Sequence, residues 1–150
     1  MQQFTLEPVL NHRTLVEEKL QKELAVFKRA LADEKEQLWA LRKARTGFLG
    51  ELKQKQEQST TVSEIALYVG YIERLSRNLD QQREKISAVE EKVNQKREDL
   101  IEAMKKRKTI EKLKEKTLKA CRQELSKKEE NFLDEVGVSN SARLQRYENS

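Results

Sequence analysis

LEPVLNHRTLVEEKLQKELAVFKRALADEKEQLWALRKARTGFLGEL, residues 6–52, repeats a spacing of four and three mostly apolar residues without a slip. The seam falls on Leu6, Leu10, Arg13, Glu17, Leu20, Leu24, Phe27, Leu31, Glu34, Leu38, Leu41, Arg45, Phe48 and Leu52, and ten of these fourteen are apolar. The same spacing returns over residues 68–114, on Tyr68, Ile72, Leu75, Leu79, Gln82, Ile86, Val89, Val93, Lys96, Leu100, Ala103, Arg107, Ile110 and Lys114, again ten apolar of fourteen. A 3.5-residue repeat sustained over both segments specifies left-handed supercoiling rather than two ordinary amphipathic helices. The fold class is therefore all-α: a long two-helix antiparallel coiled-coil hairpin.

The turn lies at 58–61, where Gln58-Ser59-Thr60-Thr61 is polar and weakly helical. Thr61 with Glu64 has the form of a capping box that starts the second helix. With Thr60 at the tip, Leu52 faces Tyr68, Phe48 faces Ile72, Leu41 faces Leu79, Leu38 faces Gln82, Phe27 faces Val93, Leu24 faces Lys96 and Leu10 faces Ile110. A register displaced by one heptad matches the pattern equally well, so only the turn chemistry selects this one. The helices are predicted over about 5–57 and 62–136, the second stopping near Val136 because Gly137 can take the left-handed conformation of a helix C-cap. They would be about 80 and 110 Å long at 1.5 Å per residue, so the second overhangs the first. Beyond about Thr117 it has no first-helix partner, which leaves Leu118, Cys121, Leu125 and Phe132 as a bare apolar stripe. Residues 1–137 form the predicted hairpin, and 138–150 a flexible polar tail.

Composition agrees with long helices and excludes a sizeable globular core. Of 150 residues, 36% are apolar and 38% charged, the latter against about 25% in ordinary domains. One Pro and four Gly leave long stretches of good helix formers. The single Cys121 can close no internal disulfide, which suits a reducing compartment. No apolar run approaches the roughly 20 residues that span a bilayer, and Met1 to Leu10 lacks the features of a secretory leader, so membrane insertion is not expected.

No catalytic constellation is visible: His12 is the only histidine, and no phosphate loop, paired metal ligands or nucleophile elbow occurs. The expectation is a non-enzyme without catalytic, metal or cofactor-binding residues. Residues 105–128 hold eleven Lys or Arg and three Glu, a local charge of +8, while the remainder sums to −3. Such a run meets an acidic protein surface, nucleic acid or anionic lipid, or is a solvated helix face. Nucleic acid is the poorer fit, because no aromatic lies in the run to stack bases.

Four of the eight aromatics sit in the half nearest the turn: Trp39, Phe48, Tyr68 and Tyr71. Seam packing accounts for Phe48 and Tyr68. Trp39, Leu49, Val69 and Tyr71 fall outside the seam and either form a docking face or flank the seam. Gly47, Gly50 and Gly70 lie in the same region, where they allow the helices to approach closely or bend. Among the polar seam residues, Gln82, Lys96 and the facing Arg13 and Arg107 either fix the register or snorkel to water; snorkelling is the preferred reading.

Several pieces in order resemble the FliJ family, the small coiled-coil component of the bacterial flagellar type III export apparatus. They are Phe4-x-Leu6-x-x-Val9-Leu10-x-x-Arg13-x-x-x-x-Glu18, Tyr68-x-x-Tyr71-Ile72-x-x-Leu75, Val93-x-x-x-Arg97-x-x-Leu100-x-x-Ala103, Lys106-x-Lys108 with Ile110-Glu111-x-Leu113-x-Glu115-Lys116, and Glu130-x-x-Leu133-Asp134-Glu135. The resemblance implies a soluble hairpin that associates with the hexameric flagellar export ATPase and with the export-gate membrane protein, promotes assembly of the ATPase ring, couples it to export, and is linked to export chaperones. It implies a cytoplasmic protein peripherally associated with the inner membrane at the flagellar base. The gate contact is expected on Gln37, Leu41, Phe48, Tyr71 and Leu75. By analogy with rotary shafts, the ATPase contact is expected on Lys105, Lys106, Arg107, Lys108, Lys112, Leu118, Leu125 and Phe132. The equivalent stalk of a virulence type III secretion system, and a generic coiled-coil scaffold or nucleic-acid-binding rod, are the alternatives that the sequence leaves open.

Overall fold

Thr61 starts the second helix as the capping pattern predicts: its hydroxyl oxygen accepts a hydrogen bond from the Glu64 backbone N–H at 3.3 Å. The Glu64 carboxylate in turn accepts from the Thr60 hydroxyl at 2.7 Å, which ties the turn to the new helix. The computed structural model describes residues 5–149; Phe4 of the opening motif and Ser150 lie outside the described residues. Helix α1 spans Glu7–Glu57 and α2 spans Val62–Glu148, and there is no strand among the described residues.

The chain divides into two compact units, one of Val16–Ala103 and the other of the described parts of Met1–Leu15 and Met104–Ser150. In Val16–Ala103 the two helices form an antiparallel hairpin whose buried line is Leu24, Leu79, Gln82, Ile86, Val93 and Ala103, with Glu17. Every seam position predicted in this unit is buried or half-buried except Arg45, which is exposed while the small Ala44 beside it turns inward. A two-helix seam has no third wall, so most of its side chains are covered on one side only.

Contacts across the hairpin place the register. The Lys96 ammonium bonds the Glu23 carboxylate at 2.6 Å, Lys92 lies 5.8 Å from the centre of the Phe27 ring, and Tyr71 stacks on Phe48. Each of these pairs is one residue from a facing pair predicted with Thr60 at the tip, and a shift by one heptad would separate all three.

Snorkelling, the reading preferred for the polar seam positions, does not describe Gln82 or Lys96. Gln82 is buried, and its amide donates to the Glu34 backbone carbonyl at 2.9 Å and to the Glu34 carboxylate. Lys96 reaches across the seam rather than out to water because Glu23 stands beside Leu24 on the facing helix. That bond is the main reason the Glu23 carboxyl is held below the usual carboxylate value and the Lys96 ammonium above the usual lysine value. A buried amide and an ion pair at fixed heights favour one register over its heptad-shifted neighbours.

The expected close approach at the glycines is also absent. A side-chain carbon built on Gly47, Gly50 or Gly70 meets nothing within 4 Å, so their lack of a side chain serves no packing between the helices.

In the other unit, Leu10 is buried and Ile110 half-buried. Lys114 pairs with Glu7 at 3.0 Å, and Arg107 with Glu111 one turn away on its own helix at 2.6 Å. The predicted stop near Val136 does not occur. Gly137 does not take a positive φ, and α2 continues to Glu148, through most of the segment predicted as a flexible tail. An interior glycine costs a helix only about 1 kcal/mol, and no packed neighbour forces the chain to turn. From Glu115 to Asn149 every residue except Cys121 is exposed, so the overhang expected from the unequal helix lengths is present.

Candidate docking faces

Near the turn, three aromatic side chains from two helices meet. The repeat places Phe48 on α1 and Tyr68 on α2 at the seam, and Tyr71 follows Tyr68 after three residues, about one helical turn. Tyr68 meets Phe48 edge-on, with ring centres 6.4 Å apart and planes at 61°. Tyr71 lies flat on Phe48 at 5.7 Å and 9°, yet its side is open to solvent and it is 51% exposed. An open hollow of about 320 Å³ is lined by Phe48, Lys55, Glu64, Leu67, Tyr68 and Tyr71. The open side of Tyr71, held against Phe48, is thus rigid apolar surface at low entropy cost, the type of anchor that carries binding energy at interfaces.

The other residues predicted for this face are placed differently. Leu41 and Leu75 are half-buried at the seam, and Gln37 is exposed about three turns before Phe48. Trp39, Leu49 and Val69 are exposed as expected from their off-seam positions; Trp39 carries Lys43 over its ring at 5.0 Å. Sequence reasoning missed Leu67, Arg74 and Arg77. With Ala66, Gly70 and Tyr71 they line a second hollow of about 360 Å³ beside the first. Their spacing of four, three and three from Leu67 to Tyr71, Arg74 and Arg77 was the signal that could have found them.

The second face belongs to the unit that carries residues 104–149. Lys105, Lys106, Lys108 and Lys112 are exposed, Arg107 is half-buried, and Leu118, Leu125 and Phe132 are exposed one above the other at intervals of seven. In Leu10 to Arg13 and Arg107 to Lys114 the seam is closed by α1. Beyond Lys114 the same stripe of α2 has no α1 residue to cover it.

These features define a class: a long all-α helical hairpin that leaves an aromatic patch near its turn and an apolar stripe on its second helix open to solvent. Within that class the chain belongs to the flagellar FliJ protein family, whose model matches residues 1–146. Membership makes it a component of the type III export apparatus and gives it partners within that apparatus. The structure is similar to that of a putative YscO homolog, CT670, from Chlamydia trachomatis, at 24% identity over 91% of this chain and 93% of that one, with a TM-score of 0.43. No curated protein matches the chain. No helix among the described residues is long and apolar enough to cross a membrane.

Proposed function

We propose that the chain is the stalk subunit of the flagellar export apparatus, docking the export-gate protein through its aromatic face and the hexameric export ATPase through its basic overhang. The observation that carries this reading is the match to the family over residues 1–146, together with two uncovered faces of different chemistry. The Phe48 and Tyr71 stack, with Leu67 beside it and Gln37, Leu41 and Leu75 along the same hairpin, offers an apolar contact to the gate. Lys105, Lys106, Lys108 and Lys112, with Arg107 and the stripe of Leu118, Leu125 and Phe132, offer charge and apolar area to the ring.

The action of such a subunit is mechanical. A single helix pair at the axis of a six-fold ring contacts the subunits unequally, and preferential binding to the assembled ring stabilises it over loose subunits by mass action. ATP hydrolysis is the work of the ring, and the chain itself is not an enzyme. Its place is the cytoplasmic side of the inner membrane at the flagellar base, held there by its partners, with export chaperones as further contacts.

Two binding assays test the assignment. Phe48→Ala with Tyr71→Ala is expected to abolish binding of the gate protein's soluble linker and leave binding to the ATPase unchanged. Leu125→Asp with Phe132→Asp is expected to do the reverse. Loss of both partners in either variant, with helicity retained, would overturn the division of faces.

A further inference from the structure

The charge along the overhang reverses sign at one point. Residues 119–128 contain four basic and one acidic residue, and residues 129–138 contain four acidic and no basic. The reversal falls between Lys128 and Glu129, midway along an exposed helix whose stripe holds Leu118, Leu125, Phe132 and Val136. A solvated helix gains nothing from apolar residues at this spacing, and a basic groove or an anionic lipid surface would be repelled or poorly matched by one half of it.

A second copy of the chain fits both halves. From this pattern we infer that the overhang pairs antiparallel with the overhang of a second copy, centred on the Lys128 to Glu129 step. In that register Leu125 packs on Phe132 of the second copy and the half-buried Cys121 on Val136, each layer occurring twice about the two-fold axis. The charges follow the same rule. Lys128 faces Glu129 of the second copy, Lys127 faces Glu130, and Arg122 faces Glu135, so the basic half of each copy covers the acidic half of the other. A parallel pair would set like charges side by side along the whole length, so the charge pattern also selects the direction. The stripe is the one that the stalk reading gives to the ATPase ring. On that reading, self-pairing and ring binding exclude each other.

Sedimentation equilibrium of the full chain alone, with no ATPase present, tests the pairing separately from the stalk function. The wild type is expected to show a monomer–dimer equilibrium that weakens as salt rises. Lys127→Glu with Lys128→Glu, and separately Glu129→Lys with Glu130→Lys, turn four attractive contacts per dimer into repulsive ones. Each is expected to weaken self-association at least about tenfold. Glu and Lys have similar helix propensity, and retained ellipticity at 222 nm checks that both variants still fold. An equimolar mixture of the two restores opposite charge at every one of these contacts and is expected to dimerise as tightly as the wild type. A wild type that stays monomeric across the concentration range, or a mixture no tighter than its separate components, would overturn the inference.

Discussion

Replacing Tyr71 by alanine separates what the ring does for the fold from what it does for a partner. The ring is 51% exposed, so folding recovers only about half of the roughly 1.5–3 kcal/mol that full burial of a large apolar side chain is worth. Stacking on Phe48 at 5.7 Å adds about 0.5–1 kcal/mol, at the lower end for aromatic pairs because one face is wet. The expected loss of folding stability is therefore about 1.3–2.5 kcal/mol. It would be read as a lower urea midpoint of the 222 nm ellipticity at unchanged slope. If the open half of the ring docks on the gate protein, truncation removes a central aromatic anchor, for which losses of about 2 kcal/mol or more, or about thirtyfold in Kd, are ordinary. Titration of the gate linker with the folded variant reads this directly. Binding within twofold of wild type, alongside the predicted fall in stability, would refute the docking role and leave Tyr71 as a flank of the seam.

Leu79, only 3% exposed, is expected to cost about 2–3 kcal/mol on change to alanine, near the low end for buried leucines because a two-helix seam leaves a groove open to water rather than a sealed cavity; Leu15→Ala, at 64% exposed, should move the urea midpoint little. Gly70→Ala is expected to raise stability by about 0.5–1 kcal/mol, since nothing obstructs the new methyl group. A simultaneous loss of gate binding would assign that glycine to the docking face. The pair of Glu23 and Lys96 makes stability depend on pH at both extremes. With the Glu23 carboxyl held low by its bond to Lys96, its contribution is complete above the unfolded carboxylate pKa and is lost as pH falls through the folded value. With the Lys96 ammonium held high by the same bond, its contribution is complete below the unfolded lysine pKa and is lost as pH rises through the folded value. Glu23→Gln should flatten both limbs of the urea midpoint against pH, and unchanged limbs would show that the pair contributes nothing.

How far the sequence was legible depends on which force decided each feature. The seam could be read because heptad spacing is set by burial of apolar side chains, a signal carried by many residues at once. Arg45 departs because the small Ala44 beside it can turn inward at no cost, a choice between neighbours that a strict repeat does not express. Lys96 found Glu23 beside the seam, and Gln82 found Glu34 one seam position away from the Leu38 predicted to face it; side-chain reach decided both rather than spacing. The stop at Gly137 failed because a glycine permits a C-cap without requiring one. Of the aromatic face, Phe48 and Tyr71 could be chosen from position and residue type. Leu67, Arg74 and Arg77 carry the same three-and-four spacing around Tyr71, but as single off-seam residues among many charged ones they gained meaning only with the hollow they line. The basic run was plain from charge counting, whereas the reversal at Lys128 to Glu129 gained meaning only when the helix around it was found exposed on every side.

ATPase turnover of the cognate export ATPase, measured across enzyme concentration with and without this protein, tests the stalk assignment most directly. Stimulation is predicted to be largest where the ring is half assembled and to vanish at concentrations where the ring is already complete. It should persist with Phe48→Ala and Tyr71→Ala and be lost with Leu125→Asp and Phe132→Asp. No stimulation at any concentration, with no co-sedimentation of the two proteins, would contradict the stalk assignment.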